Sequence, residues 1–221
     1  IFGKENFTYP LLIFNSFLFT IGSYFLSKLI LENPVHQAIF IFLFGILPPS
    51  IKISILGMEY GILFFLEMAL LYFGFKQNKI WAQILFPILI LFTRIDTVIF
   101  LGIVFLVDII WNKKIRWFYI LGGMLGVAVL MSFNWFYFGE LVNNTIVAKS
   151  VTYAKNMSLA LQWKYFLMNY GNFWGMLKLP GDFNPFTILV LVFELLAFLY
   201  IVSKRESKNL FIWIIFLFSC L

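Results

Sequence analysis

The stretch FYFGELVNNTIVAK at 136–149 is the place where a long apolar segment gives way to a cluster of polar side chains. The chain turns at Gly139, since a glycine permits backbone conformations that other residues avoid. Beyond the turn it presents Glu140, Asn144 and Lys149 close together. The stretch therefore ends one element of the fold and begins a polar surface.

Two shorter polar islands interrupt the apolar segments that precede this stretch. They read GMEY at 57–60 and TRID at 93–96. We expect these two islands and the stretch from 136 to lie on one face of a membrane and to line one cavity. The remaining chain is then the scaffold that holds them there.

The composition predicts a protein of the lipid bilayer. Of the 221 residues, 62% are hydrophobic and 12% are charged, whereas a soluble domain carries about a quarter charged residues. The net charge of +6 does not require a nucleic-acid partner, because basic residues collect in the cytoplasmic loops of membrane proteins. The single cysteine, Cys220, excludes a disulfide framework. We predict an all-α, polytopic transmembrane helical bundle.

Apolar runs divide the chain into about eight spans or part-spans, at roughly 20 residues for each crossing. We interpret the whole chain, 1–221, as a single transmembrane domain truncated at both ends, because it opens at Ile1 and stops inside an apolar run. We expect an exoplasmic loop over 139–185, with an amphipathic helix lying in the headgroup layer. The predicted spans are 9–31, 38–56, 60–75, 80–92, 97–111, 117–138, 186–203 and 210–221.

If successive spans cross the membrane in opposite directions, the basic turns fall on one side and the polar islands on the other. The islands at 57–60 and 93–96 and the loop from 139 fall on one side, and most of the lysines and arginines in short turns fall on the other. This bias places the basic turns in the cytoplasm and the islands on the exoplasmic face. The turns on the cytoplasmic side are 32–37, 76–79, 112–116 and 204–208.

The fourth run, 80–92, is too short to cross a bilayer. A helix of this length reaches about 20 Å, short of a hydrocarbon core of about 30 Å. Irregular backbone at membrane depth is tolerated where it lines a cavity. We therefore expect Arg94 and Asp96, which follow this run, to lie in a wet, protein-lined cavity.

The charges at the islands each allow a structural and a functional interpretation. Arg94 and Asp96 form either an ion pair that closes a tight turn or part of a phosphate site, for which the planar guanidinium is suited. Glu59 either caps the helix that starts at Tyr60 or binds a ligand. Glu140 is equally consistent with the start of a solvated loop.

Three acidic residues lie inside apolar runs, where ionisable groups are costly and often functional. Asp108 stands near Lys113 and Lys114 at the end of its run and is expected to be their local partner. Glu67 and Glu194 lie in mid-span. They provide the alternative hypothesis, a polytopic transporter or lipid flippase with an intramembrane proton relay.

Three strings together resemble signatures of the bacterial GT-C class of integral-membrane glycosyltransferases. They are GMEY at 57–60, LFTRID at 91–96 and FYFGELVNNTIVAK at 136–149. The class includes enzymes similar to the protein mannosyltransferases and the mycobacterial terminal arabinofuranosyltransferase. The chain departs from the common pattern in having Tyr60 in place of a threonine, and Ile95 and Asn143 in place of prolines.

The resemblance implies a fragment of a GT-C-like fold that transfers a sugar from a polyprenyl-phosphate-linked donor. The acceptor would be a glycan, lipid or protein on the exoplasmic face of a bacterial inner or plasma membrane. Cations would stabilise the phosphate leaving group, while a carboxylate deprotonates the acceptor. The implied phosphate ligands are Arg94 and Lys149, and the implied positioning residues are Glu59, Asp96, Glu140 and Asn144.

The catalytic residue is not assigned. In this class the catalytic acid lies in the first exoplasmic loop, which we expect before Ile1, and Glu5 is not a convincing base. The chain alone is therefore expected to be inactive. No cofactor is predicted, and although some relatives use a divalent metal, no ligand set for one is visible. A non-catalytic membrane subunit is the third interpretation, if the preceding loop lacks an acid.

Overall fold

The computed structural model describes residues 4–46 and 60–141, and every regular element in these two ranges is helical. The prediction of an all-α chain is confirmed for this part of the protein. The predicted runs 186–203 and 210–221, and the loop beyond residue 141, lie outside the described residues. The helices are α1 Lys4–Ile30, α2 Pro34–Ile46, α3 Tyr60–Ala69, α4 Ile80–Thr93, α5 Val98–Asn112 and α6 Trp117–Phe138.

Two irregular helical turns complete the described chain. A π-helix over Leu70–Lys76 continues α3 directly, and a 3-10 turn over Ile95–Thr97 joins α4 to α5. The π-helix was not predicted, since its residues have the same apolar pattern as an ordinary helical turn. The 3-10 turn falls on the predicted polar island at 93–96.

The bounds of two predicted elements are corrected. The lead-in at 1–8 is helical from Lys4 onward, as the first part of α1. The turn predicted at 32–37 ends earlier, because α2 begins at Pro34. Proline suits the first helical position, where no N–H bond is needed, and Asn33 Oδ1 accepts the Val35 N–H at 2.8 Å as a cap.

The prediction for 117–138 matches the helix α6 at both ends. Arg116 has an extended backbone and cannot continue a helix toward the preceding turn. Gly139 has a φ of +73°, the left-handed conformation that ends helices and that glycine adopts without strain. The two ends of α6 are therefore set by local backbone conformation, at positions that the sequence predicts.

Two helical segments, Tyr9–Ile30 and Trp117–Phe138, are each 22 residues long and are apolar enough to cross a membrane. The helices α2 and α4 are also apolar but shorter. Large apolar side chains point outward from these helices and from α5, and Phe136, Ile110 and Ile13 are more than two-thirds exposed. Soluble monomers rarely expose large contiguous apolar patches, which mark contact with lipid or with partners.

The helices α1 and α3 pack side by side and run in the same direction. Gly22 in α1 lies against the Phe64 ring, where a Cβ would be 2.7 Å from the nearest ring carbon. The Phe19 and Phe64 rings stack at 4.9 Å between centroids. Small residues permit this close approach of two helix backbones.

The helices α4 and α6 also run in parallel, in contact through Gly122 and Gly126. A Cβ on Gly122 would lie 2.6 Å from the Gln83 carbonyl oxygen, and a Cβ on Gly126 would lie 3.0 Å from Ile88 Cα. The G-x-x-x-G spacing places both glycines on one face of α6, as in close-packed membrane helices. Farther along, Phe92 meets Phe133 edge to face at 5.3 Å.

The helices bring the connecting turns together at two ends of the bundle. At the end we call the Arg116 end, Lys76 Nζ donates to the Lys28 carbonyl and Arg116 Nη1 donates to Asn78 Oδ1. The opposite end, the Arg94 end, contains Tyr60 and Arg94. The prediction that the turns at 76–79 and 112–116 share one side is thus confirmed.

Candidate functional site

Arg94 is the residue between the end of α4 and the 3-10 turn. Its backbone is extended, with φ −152° and ψ 126°. Its guanidinium donates two parallel hydrogen bonds to the Asp96 carboxylate. Nε donates to Oδ1 at 2.9 Å and Nη2 donates to Oδ2. The ion pair, one of the two alternatives that the sequence left open, is therefore present. The Asp96 side chain is 53% exposed and the Arg94 side chain 21%, so the anion is the outer member of the pair.

Tyr60 connects this pair to the first polar island. The Arg94 guanidinium lies over the Tyr60 ring, 5.4 Å from its centroid, as a cation–π contact. The ring stands at the start of α3, one residue after Glu59. The structure thus joins the end of the island 57–60 to the island 93–96 through Arg94.

The remaining predicted site residues are not all in the described part of the chain. Glu140 is described and is exposed, directly after Gly139 at the Arg94 end. The structure gives it no hydrogen bond or ion pair with Arg94 or Asp96 among the described residues. Glu59, Asn144 and Lys149 lie outside the described residues.

Asn15 is a contributor to the Arg94 end that the sequence analysis missed. Its side chain is 1% exposed inside α1, and its Oδ1 accepts the Gly61 N–H at 2.9 Å. A Cβ on Gly61 would lie 2.4 Å from the Asn15 carbonyl oxygen. The start of α3, including Tyr60, is therefore fixed against α1. An amide inside an apolar run was the available signal.

Glu67 is buried in the middle of the segment formed by α3 and its π-helical extension. The side chain is 1% exposed, and Oε1 has no hydrogen-bond partner in the part of the chain that the structure describes. A buried polar atom without a partner is costly, so it calls for a specific explanation. Its proposed relay partner Glu194 lies outside the described residues.

Asp108 anchors the opposite end of the bundle. Its carboxylate is buried and accepts from Arg116 Nε at 2.9 Å and from Asn112 Nδ2 at 2.6 Å. The prediction of a local partner is confirmed, but the partner is Arg116 rather than Lys113 or Lys114. The Arg116 guanidinium also lies over the Phe75 ring, 5.0 Å from its centroid.

We expect Arg116→Met to lower the free energy of unfolding by about 2 kcal/mol, because it leaves the Asp108 carboxylate buried without its cation. Lys114→Met removes an exposed cation from the same turn and is expected to change the free energy by less than about 0.5 kcal/mol. Denaturant titration in detergent micelles measures both. Equal losses in the two variants contradict the assignment of Arg116 as the partner of Asp108.

No group of three His, Cys, Asp or Glu side chains that could hold a metal ion occurs within residues 4–46 and 60–141. Comparisons with protein-family models, with curated proteins and with solved structures found no match to this chain. The functional assignment therefore depends on the chemistry of the residues at the Arg94 end.

Proposed function

We propose that this protein is an integral-membrane glycosyltransferase with a GT-C-like arrangement of about eight spans. It transfers a sugar from a polyprenyl-phosphate-linked donor to a glycan, lipid or protein acceptor on the exoplasmic face of a bacterial inner or plasma membrane. The observation that carries the proposal is the Arg94 guanidinium, held between Tyr60 and Asp96 at the break after α4.

The geometry of the Arg94–Asp96 pair supports a phosphate site. Two parallel N–H···O bonds to a carboxylate require the guanidinium fork to face the anion in its plane. A phosphate accepts the same fork, and Asp96 is the more exposed member of the pair. A lipid-linked phosphate can therefore take the outer position, with Asp96 turning to position the sugar or the acceptor.

The depth of Arg94 supports access from within the bilayer. The 14 residues of α4 span about 21 Å, less than a hydrocarbon core of about 30 Å. The parallel helix α6 meets α4 at Phe92 and Phe133. From that level α6 continues about 7 Å to Phe138, whereas the chain reaches Arg94 after about 3 Å, a difference of about 4 Å. Arg94 is thus recessed below the end of its neighbour, at a depth that a polyprenyl phosphate headgroup can reach.

In the proposed reaction, Arg94 and Lys149 stabilise the charge that develops on the departing polyprenyl phosphate. Glu59, Asp96, Glu140 and Asn144 position the donor and acceptor. The acceptor hydroxyl loses its proton to a carboxylate as the glycosidic bond forms. No residue of 1–221 is assigned as this carboxylate.

The test is a transfer assay on the protein expressed with any sequence that precedes Ile1 in its gene and reconstituted in vesicles. Polyprenyl-phosphate sugars with a radiolabelled sugar are supplied, and the released polyprenyl phosphate and the labelled acceptor are measured. We expect one donor to be consumed in step with acceptor labelling. If no donor is consumed by any of a panel of sugars, the proposal is wrong.

A transporter or lipid flippase is the second candidate, favoured by the buried Glu67 oxygen that has no hydrogen-bond partner among the described residues. Ionisable residues inside membrane spans are costly and often mark proton relays. Glu67→Gln separates the two functions, because it removes a titratable proton and keeps the side-chain volume. We expect this variant to retain sugar transfer. The transporter is supported instead if the unaltered protein transfers no sugar but translocates a substrate across the vesicle membrane, and if Glu67→Gln loses this translocation.

A further inference from the structure

A pocket lies at the Arg116 end, between the turn that precedes α4 and the turn that joins α5 to α6. Its volume is about 330 Å³, and it is lined by Asn78, Asn112, Lys114, Ile115 and Arg116. This is the lower end of the size range of small-molecule sites. It lies at the opposite end of the bundle from Arg94 and takes no part in the proposed sugar transfer.

Local backbone geometry and side-chain hydrogen bonds hold the walls of this pocket in place. Asn78 and Lys113 have positive φ angles of 54° and 51°, which fix the path of each turn. Asn78 Oδ1 accepts from Gln83 Nε2 at 3.1 Å and from Arg116 Nη1. The same guanidinium is tied to the buried Asp108. The pocket walls are therefore held by defined contacts and are not a group of mobile surface lysines.

The donors that face the pocket suit an anion. An arginine has five N–H donors, and Arg116 uses one on Asp108 and one on Asn78. Lys114 is exposed and forms no ion pair within the described ranges. Since Asp108 neutralises Arg116, Lys114 leaves the site with one uncompensated positive charge. A singly charged phosphate ester matches this charge and these donors.

The surroundings of the pocket are apolar and aromatic, which indicates a ligand with acyl chains. Ile115 is 50% exposed in the pocket wall, and the next helix begins with Trp117, 69% exposed. Trp81, at the same end of the bundle, is 51% exposed. Tryptophan is enriched at the level of lipid headgroups. Basic pockets between helices on the cytoplasmic side are suited to anionic headgroups.

We propose that the pocket binds an anionic phospholipid of the cytoplasmic leaflet. The phosphate accepts hydrogen bonds from Arg116 and Lys114, and the acyl chains lie along Ile115 and Trp117. The proposal depends on the membrane placement given under the proposed function, and it does not depend on sugar transfer. A protein with no transferase activity can therefore still confirm it.

The experiment is native mass spectrometry of the whole chain in detergent, titrated with phosphatidylglycerol and, separately, with phosphatidylcholine. We expect phosphatidylglycerol to be retained preferentially, and Lys114→Gln to weaken its retention about fivefold, the loss expected for one cation at a headgroup. Lys113→Gln is the matched control, because Lys113 is adjacent and exposed but does not line the pocket. It is expected to retain phosphatidylglycerol as the unaltered protein does.

Three results overturn the proposal. Equal losses in Lys114→Gln and Lys113→Gln show general surface attraction rather than a pocket. Equal retention of phosphatidylcholine shows that the pocket does not discriminate between lipids by the charge of their headgroups. Complete displacement of phosphatidylglycerol by millimolar inorganic phosphate assigns the site to a soluble anion instead of a lipid. Variants are compared only where circular dichroism shows unchanged helix content.

Discussion

Arg94→Gln is expected to lower the rate of sugar transfer by about a hundredfold or more while the protein remains inserted and folded. The magnitude is that of removing one preorganised donor from a developing negative charge. Glutamine is shorter than arginine and keeps a polar amide, but it loses the charge, the fork and the guanidinium that lies over Tyr60. Arg94→Lys keeps the charge without the fork and is expected to be intermediate. Lys149→Ala is expected to abolish transfer for the same reason.

Removing the Asp96 carboxylate together with the Arg94 charge tests whether the ion pair has only a structural role. Arg94→Gln leaves Asp96 without its cation, and the double variant Arg94→Gln/Asp96→Asn removes both charges. If the pair only closes the turn, the double variant recovers stability and transfer together. We expect it to recover the unfolding temperature while transfer stays low. Steady-state transfer and thermal unfolding, measured on the same preparations, decide between these outcomes.

Gly122→Ala is expected to lower the free energy of unfolding by about 2–3 kcal/mol, at the upper end for overpacking. The new Cβ would lie 2.6 Å from the Gln83 carbonyl oxygen and 2.8 Å from Ile84 Cα. These are backbone atoms, which cannot move aside as a flexible side chain can. The helices α4 and α6 must separate, and Arg94 at the end of α4 moves with them. Transfer is therefore expected to fall as well.

Gly123→Ala is the matched control in the adjacent position. A Cβ at Gly123 meets no atom within 4 Å. Alanine is favoured over glycine inside a helix by about 1 kcal/mol, so this variant is expected to be neutral or slightly more stable. Denaturation in detergent micelles measures both substitutions. A loss at Gly123 as large as that at Gly122 contradicts the packing seen between α4 and α6.

Sequence reasoning found the helices where the chain carries strong local signals at their ends. The bounds of α6 were predicted correctly because Arg116 precedes it and Gly139 follows it. The short helix α4 and the pairing of Arg94 with Asp96 were also predicted, since their residues are adjacent in the chain. The start of α2 was placed too late, because the capping role of Asn33 before Pro34 was overlooked.

Contacts between residues distant in the chain were not predicted. The bond from Gly61 to Asn15 and the contact of Gly122 with Gln83 depend on which helices are neighbours, and composition does not encode this. The partner of Asp108 was placed at the nearest lysines, whereas the turn of the backbone brings Arg116 to it. Glu59, Asn144 and Lys149 stay predictions, since they lie outside the described residues.

Pro87 in α4 affects the backbone carbonyl that lies closest to Gly122 in α6. Proline has no N–H, so it cannot donate the helical hydrogen bond to the Gln83 carbonyl, and this carbonyl is the atom closest to a Cβ at Gly122. The Gln83 carbonyl thus lacks its helical donor at the point where α6 comes closest. In homologues we expect glycine at the position of Gly122 whether or not proline stands at the position of Pro87, because the Ile84 backbone also lies within 3 Å of that Cβ.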